Sequence, residues 1–358
     1  MTQKIQNKIL AGVTDKVFPQ AELLVAQRGE ILLHEFAGTF NDVAKAKFDL
    51  ASLTKPLCTA MLCMALYQDN KISLDDTLEH YFITHIQNQI TVRHLLNHTS
   101  GLVDWVPFYA NMIFQKNANY AQNNQKILDL ILLDDNMDRY PQKTHYSDIG
   151  YILLGALIER AGNLPLTELF KKYIADPLNI SDRMFFVPVN EKQSAYKKED
   201  FVPTVDCLLR QRLIQGEVMD RNCYVMGGVS GHAGLFSDAF TIHRVLNELR
   251  LAKLAKSTLI QKKTFDLFCL PDLKRVWDDY YFTLGFDTST RSVSQSGTLF
   301  SKNTIGHLGY AGTSFWWDIE RDFWVILLTN RCMPDRKNTK IRSFRPELHD
   351  LIVRELAL

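Results

Sequence analysis

A serine and a lysine lie close together at a spacing that suits covalent catalysis. Ser52 and Lys55 are separated by two residues. Residues three apart on a helix share a face, so the lysine amine lies beside the serine hydroxyl and can act as its base. The spacing predicts acyl transfer through a covalent intermediate on Ser52. The alternative is that Ser52 caps a helix and Lys55 is a solvated residue of its first turn.

The residues after Lys55 predict a buried helix. Residues 57–66 are apolar except for Thr59, which is typical of a helix enclosed by protein. Pro56 is tolerated only in a first turn, so Ser52 is predicted at the helix entry, where free N–H groups and the helix dipole favour an anion. Burial lowers the pKa of a lysine, so we expect Lys55 to be a usable base near neutral pH.

Two further segments carry reactive side chains. Tyr146 precedes a predicted helix, and a nearby cation such as Lys55 would stabilise a phenolate there that accepts a proton. His307 lies between Gly306 and Gly309, glycines that allow close substrate approach along a strand edge and leave N–H groups for an oxyanion. We expect His307 to face the pocket. The plainer readings are a core tyrosine next to an Asp helix cap and a structural histidine.

These side chains need a scaffold, and the apolar periodicity predicts one with strands near both chain ends. The predicted elements are an amphipathic helix before residue 19, a hairpin over 23–36, helices over 92–96, 149–160 and 166–173, a hairpin over 313–317 and 323–329, and a helix over 347–358. We therefore predict an α/β fold in which an antiparallel sheet is flanked by helices. Residues 1–47 and 225–358 form the α/β domain, and residues 48–224 form an inserted, mainly helical domain.

Composition excludes several classes of function. The 358 residues carry a net charge of +1, so no nucleic-acid partner is predicted. The six cysteines are scattered and are expected to be reduced, mostly buried thiols. No apolar run is long enough to span a membrane, which predicts a soluble, cytoplasmic protein without a membrane partner. The oligomeric state is left open.

Two patterns that suggest a cofactor are incomplete. His94 and His98 have a spacing that metal ligands use but lack a third ligand. Residues 228–234 look like a dinucleotide loop but lack Gly-x-Gly and a preceding strand. No metal or other cofactor is predicted.

The three motifs together resemble a known family. Ser52-x-x-Lys55, Tyr146-x-Asp148 and His307-x-Gly309, in this order, are similar to the motifs of class C β-lactamases, penicillin-binding proteins and related serine esterases. The similarity extends over nearly the whole chain and includes the runs 48–51, 92–102 and 227–237, the last of which is similar to a penicillin-binding-protein-4B-like subgroup.

The resemblance implies specific roles. Ser52 attacks a carbonyl while Lys55 and Tyr146 share the proton relay, with His307 as a further catalytic residue. The backbone N–H groups of Ser52 and Tyr310 form the oxyanion hole. Four residues are candidates for substrate binding. They are Asp148 of the second motif, Gly309 of the third motif, Asp220 of the segment 216–220 and Trp105 of an aromatic cluster at 105–109. Phe108 and Tyr109 belong to that cluster, and the alternative is ordinary core, which is the commoner role of aromatic clusters.

Departures from the family pattern narrow the chemistry. The third motif is usually Lys-Thr-Gly in β-lactamases, and His307 offers only a conditional cation in place of that lysine. The second motif usually ends in asparagine, whereas ionised Asp148 only accepts hydrogen bonds; it could pair with Lys55 or keep His307 protonated. Met219 stands where similar sequences commonly have histidine.

We therefore predict a serine hydrolase that acts through an acyl-enzyme on small esters or amides, with esterase activity as the leading form. A cell-wall D,D-peptidase or a β-lactamase is the alternative within enzymes. A binding protein that keeps the fold without turnover is the alternative outside them.

Overall fold

The fold was obtained as a computed structural model. It describes residues 2–86, 89–113, 118–138, 143–189, 196–270, 282–289 and 294–358. The α-helices in these ranges are α1 (Thr2–Thr14), α2 (Met61–Gln68), α3 (Leu78–Tyr81), α4 (Val92–Leu96), α5 (Tyr120–Leu132), α6 (Asp148–Gly162), α7 (Leu166–Phe170), α8 (Arg221–Val225), α9 (Ala239–Lys253), α10 (Lys262–Cys269) and α11 (Ile341–Leu356). Short 3₁₀ turns cover Ala51–Leu53, Phe108–Asn111 and Lys198–Asp200, and π-helical turns cover Lys55–Ala60 and Lys171–Ala175.

The strands form one large antiparallel sheet and two small ones. They are β1 (Ala21–Gln27), β2 (Glu30–Ala37), β3 (Phe48–Asp49), β4 (Phe185–Phe186), β5 (Val205–Cys207), β6 (Arg212–Ile214), β7 (Leu235–Ser237), β8 (Asp287–Thr288), β9 (Thr304–Leu308), β10 (Ser314–Asp318) and β11 (Phe323–Thr329). The large sheet has the order β2-β1-β11-β10-β9-β8, and β3-β7-β4 and β5-β6 form the small sheets. The strands of the large sheet come from residues 21–37 and from residues after 286. The pairing of β1 with β11 joins these two parts of the chain.

Side-chain alternation along the central strands divides the interior into two cores. On β11, Trp324 and Ile326 belong to the larger core, which includes the inserted helices, whereas Val325 and Leu327 belong to the core beneath α1 and α11. Successive side chains of a strand point to opposite faces, so a strand that is apolar at every position is covered on both sides. The predicted fold class, an antiparallel sheet flanked by helices, is confirmed.

Most predicted elements have their expected type. The hairpin of β1 and β2 turns at Arg28 and Gly29, which both have positive φ (53° and 89°), as a two-residue hairpin turn requires. The C-terminal helix begins at Ile341, earlier than the sequence pattern indicated. All six cysteines are free and buried, as expected. The division into domains at residues 47 and 225 stays a prediction.

In the ranges given above, no helix combines the length and the apolar character that crossing a membrane requires.

Candidate active site

Ser52 lies in a tight turn that a buried carboxylate holds in place. Ala51, just before it, has a φ of 49°, a region that non-glycine residues seldom adopt. One oxygen of Asp49 accepts a hydrogen bond from the Ala51 N–H at 2.8 Å, and the other accepts from the Met219 N–H at 2.7 Å. Burial, reinforced by the charge of Asp220, raises the pKa of Asp49 to about 6. Asp49 thus links the nucleophile turn to the wall of the cleft.

The side chain of Lys55 contacts both its predicted partners. Lys55 begins the π-helical turn that leads into α2, and it is fully buried. Its Nζ lies 3.0 Å from Ser52 Oγ and 2.7 Å from Asp148 Oδ1. Of the two partners considered for Asp148, which were Lys55 and His307, the structure therefore contains the pair with Lys55. Burial lowers the pKa of Lys55, and the charge and hydrogen bond of Asp148 partly oppose this effect.

Tyr146 completes a group of three around the nucleophile. Its hydroxyl faces the Ser52 side chain, which acts to lower the Tyr146 pKa, and Lys55 Nζ lies 4.9 Å from its ring centroid. Burial, reinforced by Asp148, raises the pKa of Tyr146 well above its usual range. The resting side chain is therefore a neutral phenol, which differs from the phenolate that the sequence led us to expect. The reason is that burial and the Asp148 charge both disfavour a second anion here.

A histidine that the sequence analysis considered only as a metal ligand positions Tyr146. The ring of His98 lies 4.5 Å from the Tyr146 ring, centroid to centroid, and its Nδ1 accepts the Ser147 N–H at 3.1 Å. Ser147, and not Asp148, caps α6, because its hydroxyl accepts the Gly150 N–H. His94 instead bonds the Thr91 N–H in the cap of α4. Among the described residues, no group of His, Cys, Asp and Glu side chains is arranged to hold a metal ion.

The third motif lies at the end of β9, next to the nucleophile turn. β8 pairs with Ile305 and Gly306, and β9 continues past it. His307 is almost wholly buried against the Tyr146 ring, at 6.1 Å between centroids, rather than facing the cleft as we expected. His307 lies opposite Phe315 of β10, and aromatic rings cover its side chain, since the Phe282 ring centroid also lies 6.3 Å from that of His307.

Gly309 allows this strand end to approach the nucleophile. A Cβ atom on Gly309 would lie 2.6 Å from the Leu50 carbonyl oxygen and 2.0 Å from Thr313 Oγ1. The Thr313 hydroxyl donates to the same Leu50 carbonyl at 3.1 Å. The strand end is therefore fixed against the turn that carries Ser52, and only glycine fits at this contact.

A cleft of about 880 Å³ opens over these groups. Its lining includes most of the site residues predicted from the sequence: Ser52, Trp105, Tyr109, Tyr146, Asp148, Asp220, Gly309 and Tyr310. Phe108 departs from its predicted aromatic cluster, because its 3₁₀ turn directs it into the larger core. Trp105 and Tyr109 remain at the cleft, 6.2 Å apart between ring centroids.

Asp220 belongs to a second array of serine, histidine and aspartate. His232 Nδ1 lies 2.8 Å from Ser230 Oγ, and its Nε2 lies 3.1 Å from Asp220 Oδ1. Burial would raise the pKa of Asp220, but His232, the Cys223 N–H and the charge of Lys55 together outweigh it and hold that pKa at about 2. In a catalytic triad the histidine contacts the serine through Nε2 and the aspartate through Nδ1, whereas His232 uses these nitrogens the other way round. Ser230 is also only 4% exposed. The array instead positions the His232 carbonyl, which accepts from Lys55 Nζ at 3.3 Å.

Comparison with known proteins identifies the family. A family model described as Beta-lactamase matches residues 5–345. The chain belongs to the β-lactamase family. It is 29% identical, over 369 aligned positions, to the N-acetylmuramyl-L-alanine amidase of Bacillus subtilis, covering 92% of this chain and 80% of the relative. It is 27% identical, over 310 positions, to an Escherichia coli protein assigned by name as a D-alanyl-D-alanine carboxypeptidase, covering 79% and 69% of the two chains.

Solved structures show the same fold. An octameric penicillin-binding protein homologue from Pyrococcus abyssi superposes with a TM-score of 0.73 at 18% identity, covering 99% of this chain and 77% of the other. EstCE1, a hydrolase with promiscuous acyltransferase activity, superposes with a TM-score of 0.71 at 18% identity, covering 96% and 98%. This β-lactamase family member is a serine hydrolase, as predicted.

Proposed function

We propose that the protein hydrolyses small esters or amides through an acyl-enzyme on Ser52, with esters as its readiest substrates. The observation that supports this most directly is the 3.0 Å contact between Ser52 Oγ and Lys55 Nζ, in a cleft that Tyr146 also lines. A nucleophile beside a lysine whose pKa burial lowers is the arrangement that covalent acyl transfer requires, and the neutral phenol of Tyr146 adds a proton donor.

In the proposed first step, neutral Lys55 takes the Ser52 hydroxyl proton as Oγ bonds to the substrate carbonyl carbon. The N–H groups of Ser52 and Tyr310 stabilise the oxyanion that forms on the carbonyl oxygen. When the tetrahedral intermediate collapses, the leaving group takes a proton from Tyr146, which Lys55 then reprotonates. Water repeats the sequence on the acyl-enzyme, which releases the acid and restores Ser52.

The substrate class is a proposal that rests on both the site and the relatives. His307 is buried and stands where β-lactamases typically have a lysine, which supports simple acyl groups over β-lactams. Amide hydrolysis is the second candidate, because the Bacillus subtilis relative is named as an amidase and is covered over 80% of its length. The cytoplasmic location and the lack of nucleic-acid and membrane partners remain predictions.

Labelling followed by intact-protein mass spectrometry tests the proposal. A fluorophosphonate is expected to add to the wild-type protein and not to Ser52→Ala, and p-nitrophenyl acetate hydrolysis is expected to disappear in that variant. Ser230→Ala is the matched control, because Ser230 belongs to the other array of serine, histidine and aspartate. It is expected to be labelled fully. Hydrolysis that survives in Ser52→Ala would contradict the proposal, and a stable penicillin adduct would favour a peptidase.

A further inference from the structure

In the reaction proposed above, neutral Lys55 has one lone pair, and the direction of that lone pair decides whether the amine can take the Ser52 proton. An ammonium group has three N–H donors, whereas the neutral amine has two donors and one lone pair. Among the described residues, its Nζ has three hydrogen-bonding neighbours: Ser52 Oγ at 3.0 Å, Asp148 Oδ1 at 2.7 Å and the His232 carbonyl oxygen at 3.3 Å. The carboxylate and the carbonyl only accept. They therefore take both N–H groups of the neutral amine and leave the lone pair for the Ser52 hydroxyl.

The His232 carbonyl is the contact that completes this arrangement. Without it, the second N–H of the neutral amine would turn to Ser52 Oγ, and the lone pair would then point away from the nucleophile. Lys55 is fully buried, and buried N–H groups are nearly always hydrogen-bonded because leaving one unpaired costs free energy. The direction of the base therefore depends on a carbonyl that is held in the correct place.

The backbone around this carbonyl is anchored on both sides. The Gly231 carbonyl accepts the Thr59 hydroxyl at 2.6 Å, and the Ala233 carbonyl accepts the Cys223 thiol at 3.2 Å. The carbonyl between them belongs to His232, whose side chain is 2% exposed. That side chain supplies a further anchor at the residue that Lys55 contacts.

The His232 ring is bound at both nitrogens. Ser230 Oγ lies 2.8 Å from Nδ1, and Asp220 Oδ1 lies 3.1 Å from Nε2. Burial would raise the pKa of Asp220, but its partners hold that pKa at about 2, so the carboxylate is ionised at the pH of an esterase assay. An ionised carboxylate only accepts hydrogen bonds, and Nε2 therefore carries the proton of this contact.

Asp220 is itself held by its surroundings. The same Oδ1 accepts the Cys223 N–H at 2.8 Å and so caps α8. Arg210, whose side chain is 2% exposed, donates to the two carbonyls before Asp220 at 2.9 Å and 3.1 Å. The carboxylate is therefore a fixed acceptor for the His232 ring.

We propose that Asp220 is a positioning residue for the base. Acting through the His232 side chain, it holds the carbonyl that takes one N–H of neutral Lys55, so that the lone pair of the amine faces Ser52 Oγ. The proposal rests on the hydrolase function proposed above and assigns Asp220 a role in it other than substrate binding, the role that the sequence suggested.

The charge of Asp220 also acts on Lys55. Burial lowers the pKa of Lys55, whereas the charge and hydrogen bond of Asp148 and the charge of Asp220 oppose this effect. The other titratable groups that face Lys55 come from α6 and the residues before it, from the segment after α4 and from the segment before β7: Tyr146, Tyr151, His98 and His232. Since Asp220 stays ionised, replacing it shifts the Lys55 pKa without removing a titration from the assay range.

Two substitutions of Asp220 separate its position from its charge. Asp220→Asn keeps an oxygen that can accept from Cys223 and His232 but removes the charge. Asp220→Ser keeps an oxygen that caps α8, since serine is a good N-cap residue, but its shorter side chain does not reach His232. For each protein, kcat and KM for p-nitrophenyl acetate are measured as a function of pH, and folding is checked by urea unfolding.

Asp220→Asn is expected to keep a plateau kcat close to that of the wild type, with the acid limb of the profile at lower pH because the pKa of Lys55 falls. Asp220→Ser is expected to show the same shift and, in addition, a plateau kcat that is lower by about ten- to a hundredfold, because the base is misdirected. His232→Phe, which keeps a ring without its nitrogens, is a second variant with the same expected loss in kcat.

The matched control is Asn119→Ser, which exchanges the capping residue of α5 outside the cleft lining and is expected to leave kcat and the pH profile unchanged. Equal plateau losses in Asp220→Asn and Asp220→Ser would overturn the positioning role, because the loss would then follow the charge. A raised KM with unchanged kcat in both variants would also overturn it and make Asp220 a substrate contact.

A structural measurement distinguishes failure of this proposal from failure of the hydrolase proposal. If the wild-type protein hydrolyses no ester, the proposed function is wrong, but crystal structures of the two Asp220 variants still report on the contact. The distance from Lys55 Nζ to the His232 carbonyl oxygen is expected to stay near 3.3 Å in Asp220→Asn and to lengthen in Asp220→Ser. An unchanged distance in Asp220→Ser would refute the positioning role by itself.

Discussion

Replacing Gly309 by alanine tests whether close packing of β9 on the nucleophile turn creates the site. The added Cβ would lie 2.6 Å from the Leu50 carbonyl oxygen and 2.0 Å from Thr313 Oγ1, whereas real Cβ atoms essentially never approach within 3.0 Å. The backbone must therefore move by at least 0.4 Å relative to Leu50, and Thr313 must move by about 1 Å. Because Leu50 is two residues from Ser52, this movement separates the nucleophile from the N–H of Tyr310.

The consequence for catalysis exceeds the consequence for stability. Overpacking a close contact costs about 1–3 kcal/mol of unfolding free energy. An oxyanion donor acts only within about 2.7–3.1 Å of the oxyanion, and loss of one such donor lowers kcat by about 10²–10³. We therefore expect Gly309→Ala to remain folded while its kcat for ester hydrolysis falls by about two orders of magnitude or more.

The assay compares kcat for p-nitrophenyl acetate with urea unfolding of the same preparations. Gly150→Ala is the matched control, because it adds the same methyl group on α6, close to the site, where the nearest atom would be 3.6 Å away. Alanine is favoured over glycine inside a helix, so this control is expected to be active and slightly more stable. A folded Gly309→Ala protein with kcat within about threefold of wild type would refute the role assigned to this contact.

Two further predictions concern the buried carboxylates. In Asp148→Asn the pKa of Lys55 is expected to fall further, because the opposing charge is removed while burial remains. The acid limb of the kcat/KM profile for ester hydrolysis then moves to lower pH. An unchanged profile would show that Asp148 does not affect the pKa of Lys55. Asp49 has a pKa raised from 3.8 to about 6, so the folded protein retains a proton between about pH 4 and 6 that the unfolded chain releases, and wild-type stability falls as the pH rises through this window. This contribution to the free energy of unfolding is about 3 kcal/mol at most, and Asp49→Asn is expected to lack the corresponding pH dependence when urea unfolding is compared at pH 4.5 and pH 7. Loss of one backbone acceptor is also expected to lower kcat. Parallel pH dependences of stability in the two proteins would contradict the assignment.

The sequence predicted the strands of the large sheet and the contact between Ser52 and Lys55, because both depend on patterns of residues that are close in sequence. The apolar run at residues 323–329, which follows a turn-like stretch, indicated a strand, and the apolar run after Lys55 indicated the buried helix on which the Ser52 contact depends. The order of the three motifs then indicated the family, which supplied the long-range pairing. The same information could not reveal which side chains beyond the motifs hold the site together.

Asp49 and His98 show why these supporting residues were missed. Asp49 acts by binding the backbone of Met219, which is distant in sequence, and a sequence alone does not indicate which backbone groups a carboxylate will reach. A signal was nevertheless present, since an acidic residue within the apolar segment 48–51 needs buried partners. His98 was considered only for its spacing from His94, whereas its actual partners, Tyr146 and Ser147, lie almost fifty residues later.

Burial shifts the pKa values of Lys55 and Tyr146 in opposite directions, which favours the predicted role of Lys55 as a base and disfavours a Tyr146 phenolate. Both groups are buried, and burial favours the neutral form of each, so it lowers the pKa of the amine and raises the pKa of the phenol. The ion pair with Asp148 opposes the first shift but reinforces the second. One carboxylate therefore acts on both groups in the same direction, towards protonation. Ser52 consequently has a candidate proton acceptor in Lys55 and a proton donor in Tyr146, and this division of roles follows from burial and a single charge.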